Sequence, residues 1–103
     1  MRLVRYSATF HDQLRTLLDQ GLPLFGAALI AQKRDLLRHT IERHLAQFPR
    51  TKRPDPQLNL TVYPVSGTPF IVLYDFDDTE LRVHFVFHYH SDLRDLDPSS
   101  AQW

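Results

Sequence analysis

Four side chains late in the chain have the types and spacing to do chemistry together: Arg82, His84, His88 and His90. On a strand every second residue shares a face. Leu81, Val83, Phe85 and Phe87 would then form one face, and Arg82, His84, Val86, His88 and His90 the other. Two imidazoles at alternate positions can converge on a divalent ion. No third or fourth ligand and no cysteine accompanies them, so neither a metal nor another cofactor is expected. The same face could act on a phosphodiester, because an imidazole titrating near neutrality moves a proton while a guanidinium stabilises phosphate charge. The plain alternative is a polar sheet face on which histidine is tolerated.

Other chemistry is poorly supplied. The glycines are only three and isolated, which excludes a glycine-rich phosphate loop, and no signature of a Ser/His/Asp nucleophile is present. The net charge is zero but segregated. Lys33 to Arg53 holds seven basic residues against Asp35 and Glu42, whereas Asp75 to Asp97 holds seven acids against Arg82 and Arg94. Such polarity can steer charged partners. The basic segment could meet nucleic-acid phosphates, although it lacks interleaved aromatics and also reads as a solvated helix flank and loop.

These side chains need elements to hold them. Phe70 to Phe76 is apolar on both faces, the mark of a central strand. Asp77-Asp78-Thr79 is turn chemistry, so Phe70 to His90 reads as a hairpin. Upstream, Leu3 to Tyr6 is a short strand and Ser7 a helix N-cap. Phe10, Leu14, Leu17, Leu18 and Leu22 recur at helical spacing, with Gly21 as the helix end and Gly21-Leu22-Pro23 as connector. Leu29, Ile30, Leu36, Leu37, Ile41, Leu45 and Phe48 form a second helical stripe, stopped at Pro49. A short link makes the two helices antiparallel neighbours, with Gly26, Ala27 and Ala28 permitting close approach. Leu58 to Tyr63 alternates as a half-buried strand after a basic, proline-broken loop, and Pro64 to Pro69 is a turn. Ser91 would cap a helical turn pinning Leu93 and Leu96, leaving residues 98–103 as a loose tail.

The expected fold is therefore α+β: an N-terminal strand, an antiparallel helical hairpin, a three-stranded antiparallel sheet and a short C-terminal helical turn. A chain of 103 residues is expected to be one domain, 1–103. Absence of cysteine, of a signal segment and of a membrane-length apolar run points to a soluble cytoplasmic protein without membrane contact.

The ordered set of elements resembles the RelE/ParE superfamily of toxins from bacterial type II toxin–antitoxin modules, also called plasmid-stabilisation proteins. The resemblance is carried by Ser7-Ala8 after the first strand and by Leu45-Ala46-Gln47-Phe48-Pro49 closing the helix pair. It continues with the strand from Leu58, Phe70-Ile71-Val72-Leu73-Tyr74 with its acidic turn, and Ser91-Asp92-Leu93 after the last strand. It implies a growth-arresting toxin neutralised by a cognate antitoxin in a toxin–antitoxin hetero-oligomer. ParE-like members poison DNA gyrase without catalytic chemistry, while RelE-like members cut mRNA on the ribosome from an exposed sheet face. The ribonuclease alternative would use Arg82, His88, Tyr89 and His90, and His90-Ser91-Asp92-Leu93 looks like the closing motif of YafQ-type ribonucleases. Counted from Tyr74, His88 instead falls where ParE-like chains place a terminal-strand histidine. Asn59 replaces the arginine that many members carry, and balanced charge suits a ribosome-directed nuclease poorly. The resemblance thus leans to the ParE-like branch, with no enzyme activity. Arg82, His84, His88, His90 and Arg94 become a target- or antitoxin-binding surface. A non-toxic binding protein on the same scaffold is the second alternative.

Overall fold

The computed structural model describes residues 1–103. Strand β1 (Leu3–Tyr6) leads into helix α1 (Ala8–His39), which passes into a π-helical turn (Thr40–Leu45). Strands β2 (Thr61–Pro64), β3 (Phe70–Phe76) and β4 (Glu80–His88) follow. The sheet is mixed and four-stranded, in the order β1-β4-β3-β2. The three-stranded antiparallel sheet expected from sequence gains β1, which lies parallel to β4 with Leu3 opposite Glu80 and Tyr6 opposite Val83. That pairing joins residues far apart in the chain, so local alternation carries no trace of it. β3 and β4 are the central strands, which accounts for their apolar residues on both faces.

The helical region also differs in detail. Instead of two helices joined by Gly21-Leu22-Pro23, one helical stretch runs from Ala8 to His39, interrupted only at Gly26 (φ 81°, ψ 161°), with Pro23 inside it. A straight helix of 32 residues would span about 48 Å, longer than the greatest extent of the molecule, 38 Å. The chain folds back at Gly26, a backbone conformation essentially confined to glycine. Gly21, read as a helix end, supplies close approach instead: a Cβ there would stand 2.7 Å from Ile30 Cδ1 on the returning arm.

The two arms bury Phe10, Leu14, Leu37, Ile41 and Leu45 against Phe70, Val72, Tyr74, Leu81, Val83 and Val86 of the sheet. A second cluster covers the other sheet face: Leu58, Leu60, Ile71, Leu73 and Phe85, with Val62, Phe87, Leu93, Leu96 and Ala101 packed on it. Leu58 and Leu60 reach it from a loop rather than from the expected strand, because Asn59 has φ 55° and breaks the extended backbone.

The C-terminal segment is tied down, contrary to the expected loose tail. Ser91 caps no helix; Asp97 caps a short 3-10 turn, Pro98–Ser100, by accepting from the Ser99 amide at 2.9 Å. Gln102 accepts from the amides of Ala8 and Thr9 at the start of α1 and donates its own amide to Thr9 Oγ1. The Trp103 ring meets the His84 ring edge-on at 4.8 Å. Tryptophan has a large apolar area, and Trp103 is still 46% exposed after this contact.

Candidate functional site

The expected co-facial row of Arg82 and three histidines does not form. Leu73 faces Phe85 while Tyr74 faces Val83, so His84 is an extra residue on β4 with no partner on β3. An extra residue of this kind reverses the in–out alternation beyond it. Leu81, Val83 and Val86 accordingly face the helix, whereas Phe85 and Phe87 face the second cluster. His84 stays with Arg82 on the far face, and His88 turns to the helix side. The backbone freed by the bulge is satisfied from outside the sheet. Ser7 Oγ donates to the His84 carbonyl at 2.6 Å, and the Val86 amide donates to Gln13 Oε1 at 2.8 Å.

Arg82 is held by three carboxylates. Its guanidinium donates to Asp75 at 2.9 and 3.3 Å, to Asp77 at 2.9 Å and to Glu80 at 2.9 Å. Hydrogen bonds to Asp75, then Glu80 and Asp77, push its pKa above the usual guanidinium range. Three anions around one cation leave the cluster negative, which repels phosphate rather than attracting it. His84 Nε2 lies 2.8 Å from Asp75 Oδ1. Because Asp75 accepts throughout, Nε2 is the protonated nitrogen in a satisfied arrangement, and Nδ1 is buried without a partner. His84 is thereby a half-buried component of this network.

Burial raises the Asp75 pKa, but hydrogen bonds from His84 and Arg82 outweigh it and leave the net value below the ordinary one. A depressed folded-state value means that the contribution of Asp75 to stability is complete above the unfolded pKa, about 4, and is lost as pH falls through the folded value. In an Asp75→Asn variant, the stability deficit relative to the native chain should be largest near neutrality and should shrink below about pH 4. Urea denaturation across that range checks this; a deficit independent of pH would contradict the linkage.

His88, Tyr89 and His90 do come together, although through a turn rather than strand alternation, since β4 ends at His88. The His88 and His90 rings stack at 5.2 Å, Tyr89 and His90 lie 3.9 Å apart, and the His90 amide donates to His88 Nδ1 at 3.2 Å. Tyr89 is largely exposed. Arg94 is apart from all of these, paired with Asp92 at 2.6 Å and facing solvent.

His88 also borders an apolar cleft of about 380 Å³ at the fold-back of α1. Leu17, Leu24, Phe25, Leu29, Ile30 and Phe70 form its walls, and Lys33 lies at its margin. Lys33 Nζ donates to the Gly67 carbonyl at 2.6 Å, tying the returning arm to the turn before β3. Leu24 and Phe25 are 75% and 58% exposed, so the bend presents apolar surface to solvent. Periodicity could not show this cleft, because Leu17, Leu29 and Ile30 read as core stripes while Leu24 and Phe25 fell in neither stripe. The usable signal was Gly21 to Ala31, which has no charged residue and an apolar content exceeding one helical face.

No family model matches the sequence, nor does any curated protein. Among solved structures, a chain described as "Chromosomal ParDE TA system from P. aeruginosa" superposes with TM-score 0.73, over 85% of this chain and 96% of its own. The two chains share a fold. At 13% identity the ParDE-system chain is related in architecture alone. No helix is long and apolar enough to cross a membrane.

Proposed function

We propose that the chain is the toxin component of a bacterial type II toxin–antitoxin module, acting in the cytoplasm on DNA gyrase and neutralised by a cognate antitoxin. The observation that carries this is the likeness, over 96% of the other chain, to a structure from a ParDE toxin–antitoxin system. Two features favour a non-enzymatic toxin. The guanidinium that would stabilise phosphate charge is bound by Asp75, Asp77 and Glu80. The sheet face that would carry nuclease residues lies under Leu58, Leu60, Leu93 and Leu96. The purified chain should inhibit gyrase supercoiling or trap cleaved DNA; undisturbed supercoiling at large excess would refute the gyrase reading.

A ribosome-dependent ribonuclease is the second reading, favoured by the stacked His88, Tyr89 and His90. It requires mRNA cuts that vanish in His88→Ala or His90→Ala. Harmless expression of the isolated chain would favour a non-toxic binder.

The apolar cleft supports antitoxin docking, since a groove of this kind accepts the apolar face of a partner helix. Phe25→Glu should weaken the toxin–antitoxin complex at least about tenfold by placing a charge against an apolar partner. Phe25 is already exposed, so the fold should hold. Calorimetric titration of the antitoxin into both chains checks this, and unchanged affinity would locate the docking surface elsewhere.

A further inference from the structure

Five of the twelve lysine and arginine side chains pair with a carboxylate: Arg5, Arg15, Arg34, Arg82 and Arg94. Of the cations left unpaired, Arg2, Arg43, Arg50, Lys52 and Arg53 lie at β1 or between the end of α1 and β2. Arg2 and Arg50 converge. Their guanidinium carbons lie 5.2 and 5.1 Å from the centroid of the Phe76 ring. They line a cavity of about 500 Å³ together with His44, Gln47, Phe48 and Thr51, and no acidic residue is in its wall. Phe48, an aromatic inside the basic segment expected to lack one, is 55% exposed, and the His44 ring stands 5.8 Å from it.

The wall is anchored to the core. The buried Tyr74 hydroxyl donates to the Pro49 carbonyl at 2.7 Å, and the Arg2 amide reaches the Ala46 carbonyl at 3.4 Å. Arg2 Nε donates to the carbonyl of Asp77 at 2.6 Å, a neutral partner that orients the guanidinium without cancelling its charge. The Asp77 carboxylate itself is engaged by Arg82 and by the Thr79 and Glu80 amides. Fixed, uncompensated cations beside an exposed aromatic ring are the two requirements for a strand of phosphates with unpaired bases. Arginine supplies the phosphate contact and the ring supplies a stacking platform. A duplex would leave the ring unused, because its bases are already stacked.

We propose that the cavity between Arg2, His44, Phe48 and Arg50 binds single-stranded nucleic acid, with the guanidiniums on phosphate and Phe48 under a base. This surface is separate from the apolar cleft. Phe76 and Phe70 stand at opposite ends of β3, about 20 Å apart at strand rise.

The test is fluorescence anisotropy with the full chain and labelled oligonucleotides of about ten nucleotides, oligo-dT in one arm and oligo-U in the other. The expected Kd is on the order of 10 µM at low salt, weakening with a log–log salt slope of about −1.4 for two phosphate contacts on a single strand. Arg2→Ala and Arg50→Ala should each flatten the slope by about 0.7, while Arg50→Lys retains it. Phe48→Ala should weaken binding about tenfold at unchanged slope, and its exposure keeps the fold out of the result. A preference for oligo-U would identify RNA as the ligand, and equal or better binding of oligo-dT would identify DNA. Absence of binding in both arms would overturn the proposal. So would affinity indifferent to Phe48→Ala, or equal affinity for a poly-glutamate peptide of matched charge.

Discussion

Tyr74→Ala should cost about 4 kcal/mol, the usual loss for truncating a large aromatic core side chain. Tyr74 has no exposed surface and sits in the main core with Phe10, Leu37, Ile41 and Val83. Its hydroxyl also holds the Pro49 carbonyl across 25 residues of sequence, and burial pushes its phenol pKa up to about 12. Against a domain stability of about 5–15 kcal/mol, the alanine variant would be marginal or unfolded. Tyr74→Phe separates the two contributions. The ring stays, and only the hydrogen bond is lost, leaving a buried carbonyl unpaired at a cost of about 1–2 kcal/mol. Guanidinium denaturation should show both shifts as midpoints moving with little change in slope. An alanine variant losing under about 1 kcal/mol would mean that the core does not depend on this ring. The phenylalanine variant also bears on the cationic cavity, since Pro49 lines its wall. Its effect there should be small if the 3-10 turn Pro49–Thr51 is held by packing as well as by the bond.

Local sequence reported what local physics determines. Phe10, Leu14, Leu37, Ile41 and Leu45 of the helical stripes, the twin-apolar β3 and the acidic turn at Asp77 are each specified within a few residues and stand where the spacing placed them, whereas Leu22 and Phe48, read into the same stripes, are exposed. What local spacing could not report depends on distant partners. β1 joins the sheet only because β4 is beside it. Two glycines and a proline offered competing breaks, and the fold-back fell at Gly26, where nothing crowds the backbone, rather than at Gly21, which Ile30 approaches. Part of the acidic run surrounds the candidate arginine instead of staying solvated: Asp75, Asp77 and Glu80 converge on Arg82 from a strand, a turn and a strand end. In the candidate site, residue type and spacing singled out the histidines of β4 and of the turn after it. Their common face was an assumption of perfect period two, and the bulge at His84 removed it.

That bulge makes Ser7→Ala the second consequential substitution, with an expected loss of about 3 kcal/mol. Ser7 is fully buried and serves two elements at once. Its Oγ accepts from the Phe10 amide at 2.8 Å, capping α1, and donates to the His84 carbonyl at 2.6 Å. Its own amide meets the Val83 carbonyl at 3.0 Å. Losing the cap costs about 1 kcal/mol, and a buried carbonyl left unpaired adds about 1–3 kcal/mol. Ser7→Asp tells the two apart. Aspartate is as good a cap as serine, so it would restore stability if capping were the whole role. It has no proton to donate at neutral pH, however, and its charge would face the His84 carbonyl. Aspartate should therefore be no better than alanine, and a full rescue would refute the assignment. The damage should also be local. Amide exchange near Val83 to Val86 should quicken before that of Ile71 to Leu73, because the first group depends on Ser7 and Gln13 from outside the sheet. One buried hydroxyl would then be what keeps His84 with Asp75 and turns His88 toward the apolar cleft.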